Sequence, residues 1–153
     1  MSASESFAVF PIEDSPGYRI NRLARAMNLL LQRSFKGAGY DVTAPQWAVL
    51  SKLWDGDGVH QSELAEQTTR DRHSMARMLP VMESRGWVRR KADPSDRRLQ
   101  RVYLTAEGRR LRRRLVPVAE SAMAQMFDGI AMKDLACTLR VLRKAQINVE
   151  GAE

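Results

Sequence analysis

The sequence predicts a mainly α-helical fold carrying one small β-hairpin, and three observations predict it. Apolar residues recur at three- or four-residue steps through most of the chain. Two short helical patterns, Gln61 to Gln67 and Asp71 to Arg85, follow each other across a tight connection, and the second has a polar, basic start. Beyond Gly86, apolar and basic residues alternate on both sides of a turn rich in Asp, Pro and Ser. Together these give a winged helix-turn-helix lobe over 43–104. Helices over 17–37 and 106–150 flank it, in a single domain of 1–153.

The elements justify themselves in order. Residues up to 16 read as a loose arm with apolar anchors Phe7, Val9, Phe10 and Ile12. From Tyr18, the residues Ile20, Leu23, Met27, Leu30, Leu31 and Phe35 make one helical face, and Gly37 and Gly39 end it. Thr43 and Gln46 have capping-box spacing, with Pro45 tolerated in the first turn, and Trp47, Leu50, Leu53 and Trp54 form the apolar face that follows. Asp55 to Gly58 is a turn and Val59 a short strand. Leu64 and Ala65 are the buried face of the next helix. Asp71 caps the fourth helix, whose inward residues are Met75, Met78, Leu79 and Met82, and Gly86 stops it in the left-handed region.

The strands are read at 87–90 and 101–104, with Asp93 to Arg98 as the tip. Thr105 caps a fifth helix with Leu111, Leu115, Val118, Ala122 and Met126 on one stripe past Pro117, and Asp128-Gly129 ends it. Leu135, Leu139, Leu142 and Ile147 mark a sixth helix within 134–147. The stripes on the first, fifth and sixth helices lie outside the lobe and need a cover, for which a second copy of the chain is the simplest choice.

Charge points the same way as the motif. The chain carries 25 Lys and Arg against 18 Asp and Glu, a formal +7, and a basic balance favours polyanionic partners. Between Arg85 and Arg114, twelve basic residues face three acidic ones, so the excess is concentrated in the hairpin and the helix leaving it. A solvated face is the plain alternative for such a run, and a generic surface hairpin the alternative for the tip.

Other classes find no support. Cys137 is the single cysteine, which rules out an intramolecular disulfide, and it reads as a thiol packed in a helix interface. Two histidines and one cysteine make no metal set, and His60 reads as a surface loop residue. No Gly-rich phosphate loop or placed Cys and His pair suggests an enzyme, and no cofactor is expected. No run approaches the length needed to cross a bilayer, and the first seventeen residues lack the pattern of a secretion signal, so a cytoplasmic location is expected.

The segments LAEQTTRDRHSMARMLPVMESRGWV, DPSDRR and VYLTAEG, in that order, resemble the MarR family of bacterial transcriptional regulators. The resemblance covers nearly the whole chain. It implies a homodimer of winged lobes on a palindromic operator in double-stranded DNA, usually a repressor released by a small phenolic or lipophilic anion and less often by oxidation. It assigns major-groove contacts to Arg72, His73, Ser74 and Arg77, a phosphate contact to Ser62, and minor-groove entry at the wing to Arg97 and then Arg98. It places Tyr18, Arg22, Trp47 and Trp54 beside an effector cleft. Asp96 reads as a clamp on neighbouring arginines.

The chain departs from the family pattern in four places. Pro80 lies inside the recognition helix, where a kink near 76–80 is expected, Ala76 replaces a hydroxylated residue, Thr69 a glycine, and His60 a Ser or Thr cap. An architectural or protein-interaction winged helix, binding DNA without sequence choice, is the other reading.

Overall fold

The computed structural model describes residues 11–68 and 71–151, so the arm anchors Phe7, Val9 and Phe10, and Thr69 in the turn, lie outside the described residues. After a single 3-10 turn at Ile12–Asp14, the elements are α1 (Pro16–Gly37), α2 (Ala44–Asp55), β1 (Val59–His60), α3 (Gln61–Gln67), α4 (Arg72–Ser84), β2 (Val88–Ala92), β3 (Gln100–Leu104), α5 (Ala106–Met126) and α6 (Met132–Glu150). The chain forms two compact units, 1–122 and 123–153.

In the first unit the predicted caps form. Ser15 accepts the amide of Tyr18 ahead of Pro16, and α1 ends where Gly39 takes φ +86° and the Tyr40 amide reaches back to the Phe35 carbonyl. Thr43 and Gln46 close a complete capping box on α2. Gly86, at φ +71°, donates to Glu83 O while Trp87 donates to Met82 O, a Schellman arrangement that turns the chain sharply out of α4.

The core of this unit is built from α1 to α5 with β2 and β3, and Val59 of β1 packs against it partly buried. Phe35, Leu50, Leu53, Leu64, Met75, Leu79, Met82, Val102 and Leu115 are fully buried, at roughly 1.5–3 kcal/mol for each large side chain. Because Met75, Leu79 and Met82 point inward, the opposite face of α4 is forced outward. α4 runs uninterrupted through Pro80, which is itself exposed. Met78, expected inward, is only partly buried.

The sheet has the order β1-β3-β2, antiparallel throughout, with Val88 opposite Leu104 and Val59 opposite Val102. The inward residues are Val88, Val102 and Leu104. Trp87, read as the start of a strand, instead belongs to the α4 exit, because its amide is taken by Met82, and β2 continues two residues further than expected.

The start of α5 presses directly on that exit. The Thr105 hydroxyl donates to Gly86 O and accepts from the Gly108 amide, and the Thr105 amide donates to Trp87 O at 3.0 Å. A β-carbon on Gly108 would lie 2.0 Å from the Trp87 carbonyl oxygen, so two backbones meet here with no side chain between them. The Gly108 carbonyl in turn accepts from Trp54 Nε1 at 2.8 Å.

In the second unit, Gly129 at φ +73° separates the end of α5 from α6. No residue of α6 is buried, and Leu139, Val141, Ile147 and Val149 are all exposed. Cys137, expected to be a packed thiol, is also exposed, with Sγ 3.3 Å from an Arg140 guanidinium nitrogen. The helix extends beyond the predicted 134–147 at both ends.

Candidate nucleic-acid interface

The interface is assembled from the outward face of α4, the first turn of α3 and the tip of the wing. Asp71 caps α4 by accepting the Ser74 amide at 2.8 Å and the Ser74 hydroxyl at 2.7 Å. Those bonds, the hydroxyl first, hold its carboxyl below the usual range. Ser74 is therefore engaged in capping rather than presenting a free hydroxyl. Arg72, His73 and Arg77 are exposed, and among the described residues neither Arg72 nor Arg77 has an acidic partner. His73 and Arg77 stand four residues apart and share a face with Ala76 and Pro80.

The charge run from Arg85 to Arg114 looks different in three dimensions. Seven of its twelve cations carry acidic partners: Arg85 with Asp41, Arg90 with Glu83, Arg98 with Asp96, Arg101 with Asp93, Arg109 with Asp57, and Arg110 and Arg114 with Glu107. Arg85 also sits over the Trp87 ring at 5.0 Å, and Arg89 over Tyr103 at 5.9 Å. Four of these pairs fasten one segment to another, and the pairs of Arg98, Arg110 and Arg114 lie within the wing tip or α5. Arg97 is exposed at the wing tip and has no such partner among the described residues, which separates it from Arg98, gripped by Asp96 through Nε and Nη2 at 3.1 Å each. The expected clamp role of Asp96 is what the geometry displays, and that grip lowers the pKa of its carboxyl.

The residue that organises the wing was not anticipated. Asp93 is 1 % exposed and accepts the Ser95 amide at 2.7 Å, the Ser95 hydroxyl, the Asp96 amide at 3.3 Å and the Arg101 guanidinium. These bonds, the Ser95 hydroxyl foremost, push its pKa far below the carboxylate norm. Arg101 continues to Gly58 O at 2.8 Å, and His60 Nε2 lies 2.9 Å from the same Asp93 carboxylate. His60 is accordingly half-buried and tied to the wing, not the free loop residue the sequence suggests. The Asp-Pro-Ser-Asp turn was a signal for Asp93, since Asp accepts amides two and three residues on. Nothing local announced His60 or Arg101 as its partners.

Two depressions gather five of the seven expected contacts, leaving out His73 and Arg97. One of about 180 Å³ is lined by Ser62, Arg72 and Arg98 with His60, Met75 and Leu99. The other, near 340 Å³ between α2 and α4, includes Ser74 and Arg77 with Thr43, Gln46 and Val81.

The effector candidates fall into two pairs. Phe35, Trp47 and Trp54 form an aromatic cluster with centroid separations of 5.2 and 5.5 Å, the first pair tilted and the second edge-to-face, and Arg22 donates to the Tyr18 hydroxyl at 3.3 Å along exposed α1. Ser51, between the two tryptophans on α2, has a buried hydroxyl oxygen with no partner among the described residues, a feature the sequence did not flag. No group of metal-ligand side chains is found among the described residues.

A three-stranded wing, a capped helix presenting free guanidinium groups, and a core that forces those groups outward define a winged helix-turn-helix DNA-binding protein. The sequence model of the MarR family matches residues 42–99. Transcriptional regulator HosA of Escherichia coli O111:H- is 34 % identical over 104 residues, 68 % of this chain and 77 % of that protein. The chain belongs to the MarR family and is a transcriptional regulator, not an enzyme.

Among solved structures, the PcaV regulator of Streptomyces coelicolor in complex with its natural ligand is similar over all of both chains, with TM-score 0.79 and 27 % identity. The regulator BpsR of Bordetella bronchiseptica, whose DNA binding is regulated by 6-hydroxynicotinic acid, has TM-score 0.81 at 24 % identity, over 90 % of this chain and 96 % of that one. At that identity it shows the fold alone.

Proposed function

We propose that this protein is a ligand-responsive repressor that binds a palindromic operator in double-stranded DNA as a homodimer. The observation that carries the reading is the set of unpaired guanidinium groups at Arg72, Arg77 and Arg97, held outward by a buried stripe on α4 and a buried carboxylate under the wing. Arg77 is the base reader, since guanidinium pairs bidentately with guanine. His73 shares its face, Ser62 and Arg72 hold phosphate, and Arg97 enters the minor groove with Arg98 beside it. Ser74 serves mainly by capping the helix that carries these groups.

The homodimer rests on exposed apolar residues of the flanking helices assigned to 17–37 and 106–150. Ile20 and Leu23 are 48 % and 55 % exposed and Ile147 62 %, a pattern that calls for a cover. Two-fold pairing then sets two recognition helices about one DNA turn apart, as a palindrome requires.

The effector is a phenolic or lipophilic anion held against Trp47 and Trp54, with Tyr18 and Arg22 contributing from α1. BpsR, whose DNA binding is regulated by 6-hydroxynicotinic acid, and PcaV, solved in complex with its natural ligand, support a small-molecule effector. The site of action is the cytoplasm, and no described helix is long and apolar enough to cross a membrane.

The test is selection of an operator from random duplexes, followed by footprinting and affinity measurements of two variants. Arg77→Ala should relax choice at one base pair by roughly 1–3 kcal/mol, and Arg97→Ala should weaken all sequences alike and lower the salt slope by about 0.9. Selected and random DNA bound equally would establish the architectural reading instead.

A further inference from the structure

His60 sits where three elements join. It is the last residue of β1, the N-cap position of α3, and the register partner of Arg101 in β3. As N-cap it makes no side-chain bond to the helix it begins. Its imidazole turns instead to the wing, with Nε2 2.9 Å from Asp93 Oδ2. Asp93 is buried and also holds the wing turn through Ser95 and Asp96, so one carboxylate joins the wing tip to the start of α3. The same imidazole lines the depression shared by Ser62, Arg72 and Arg98.

We propose that His60 is a positioning residue for DNA binding, which ties the wing to α3 and, on protonation, adds a positive charge to the wall of the phosphate-facing depression, so that DNA is bound more tightly as pH falls from 8 to 5.5. This rests on the DNA-binding reading above. Asp93 from the wing turn lies against the imidazole, Arg101 of β3 is the register partner of His60, and Arg72 from α4 and Arg98 from the tip line the same depression. Asp93 stays ionised because its own bonds hold its pKa far down. Histidine is the side chain that changes charge in this window.

The sign follows from the bond. With its proton on Nε2 a neutral imidazole can already donate to Asp93, so the tie does not require the extra charge. A second proton strengthens that bond and leaves the wall one unit more positive. A DNA phosphate favours the protonated form, and by linkage DNA binds more tightly where protons are more available.

The chain has two histidines, His60 and His73, which makes the experiment decisive. Affinity for a selected operator, or for any duplex at low salt, is measured by fluorescence anisotropy from pH 5.5 to 8, at several salt concentrations. For the parent protein we expect at least a roughly threefold gain on acidification, and a log–log salt slope steeper by up to about 0.9 for each imidazolium that meets a phosphate.

His60→Gln, whose amide can still donate to Asp93, should lose most of the gain and of the slope change, the remainder belonging to exposed His73. His73→Gln should keep the greater part of the gain. Long-range imidazole NMR spectra should find Nε2 as the protonated nitrogen of His60 at pH 8. A His60→Gln variant with the parent's pH profile, a profile flattened by His73→Gln alone, a salt slope equal at both pH values, or an Nδ1-protonated tautomer would overturn the proposal. Failure of the parent to bind any duplex at either pH would overturn the DNA-binding reading, and this one with it.

Discussion

Replacing Gly108 with alanine is a severe perturbation for one methyl group. Its β-carbon would lie 2.0 Å from the Trp87 carbonyl oxygen, 3.0 Å from the Trp87 carbonyl carbon and 3.1 Å from Leu104 Cδ2. The closest of these contacts is inside normal separation by more than about 1 Å, and the obstructing atom is backbone, so no rotamer can relieve it. The start of α5 must move by about that distance. Such a shift breaks the 2.8 Å bond from Trp54 Nε1 to the Gly108 carbonyl and the 3.0 Å bond from the Thr105 amide to Trp87 O.

Overpacking of this kind costs about 1–3 kcal/mol, and two lost hydrogen bonds add about 1 kcal/mol each, giving about 3–5 kcal/mol in all. That is a large part of the stability of an ordinary domain. Urea unfolding followed by tryptophan fluorescence and by circular dichroism measures it, with an unchanged m-value as the sign that only stability has moved. Gly17→Ala is the control: α1 has nothing within 4 Å of that position, so this change should be neutral or stabilising by up to about 1 kcal/mol. A loss below 1 kcal/mol for Gly108→Ala would refute the claim that backbone packs on backbone here.

Three further outcomes are expected. Pro80→Ala restores the amide that the Ala76 carbonyl lacks and should raise the unfolding free energy by about 1–2 kcal/mol, less than the full helix-interior penalty because proline also restricts the unfolded chain; a lower melting temperature would contradict it. Thr43→Ala removes one half of the α2 capping box and should cost about 1 kcal/mol in the same urea assay. Asp93 has a folded pKa depressed below its unfolded value, so its contribution is present above the ordinary carboxylate pKa near 4 and is lost as pH falls below it. Stability measured between pH 6 and 2.5 should therefore decline more steeply for the parent than for Asp93→Asn, and parallel curves would contradict the assignment.

What the sequence told correctly was local chemistry. The bounds of α3, the Thr43–Gln46 box, the Asp71 cap and the Gly86 stop each depend on residues within a few positions, and each formed as read. The reading of Asp96 as a clamp on a neighbouring arginine is local in the same way, because Asp96 is two residues from Arg98. The misses are long-range. His60 and Asp93 are 33 positions apart, and Arg85 finds Asp41 and Arg109 finds Asp57 across distances no spacing rule reaches. A charge count along the chain therefore overstated the free positive surface. Ser51 gave no signal because an unpartnered hydroxyl is defined by the groups that fail to surround it.

The bare contact between Gly108 and Trp87 has a mechanical side. Side chains yield by changing rotamer, whereas a carbonyl seated against a helix backbone offers almost no compliance. Whatever turns α5 near its first turn consequently turns the exit of α4 with it, through a joint without slack that one glycine makes possible.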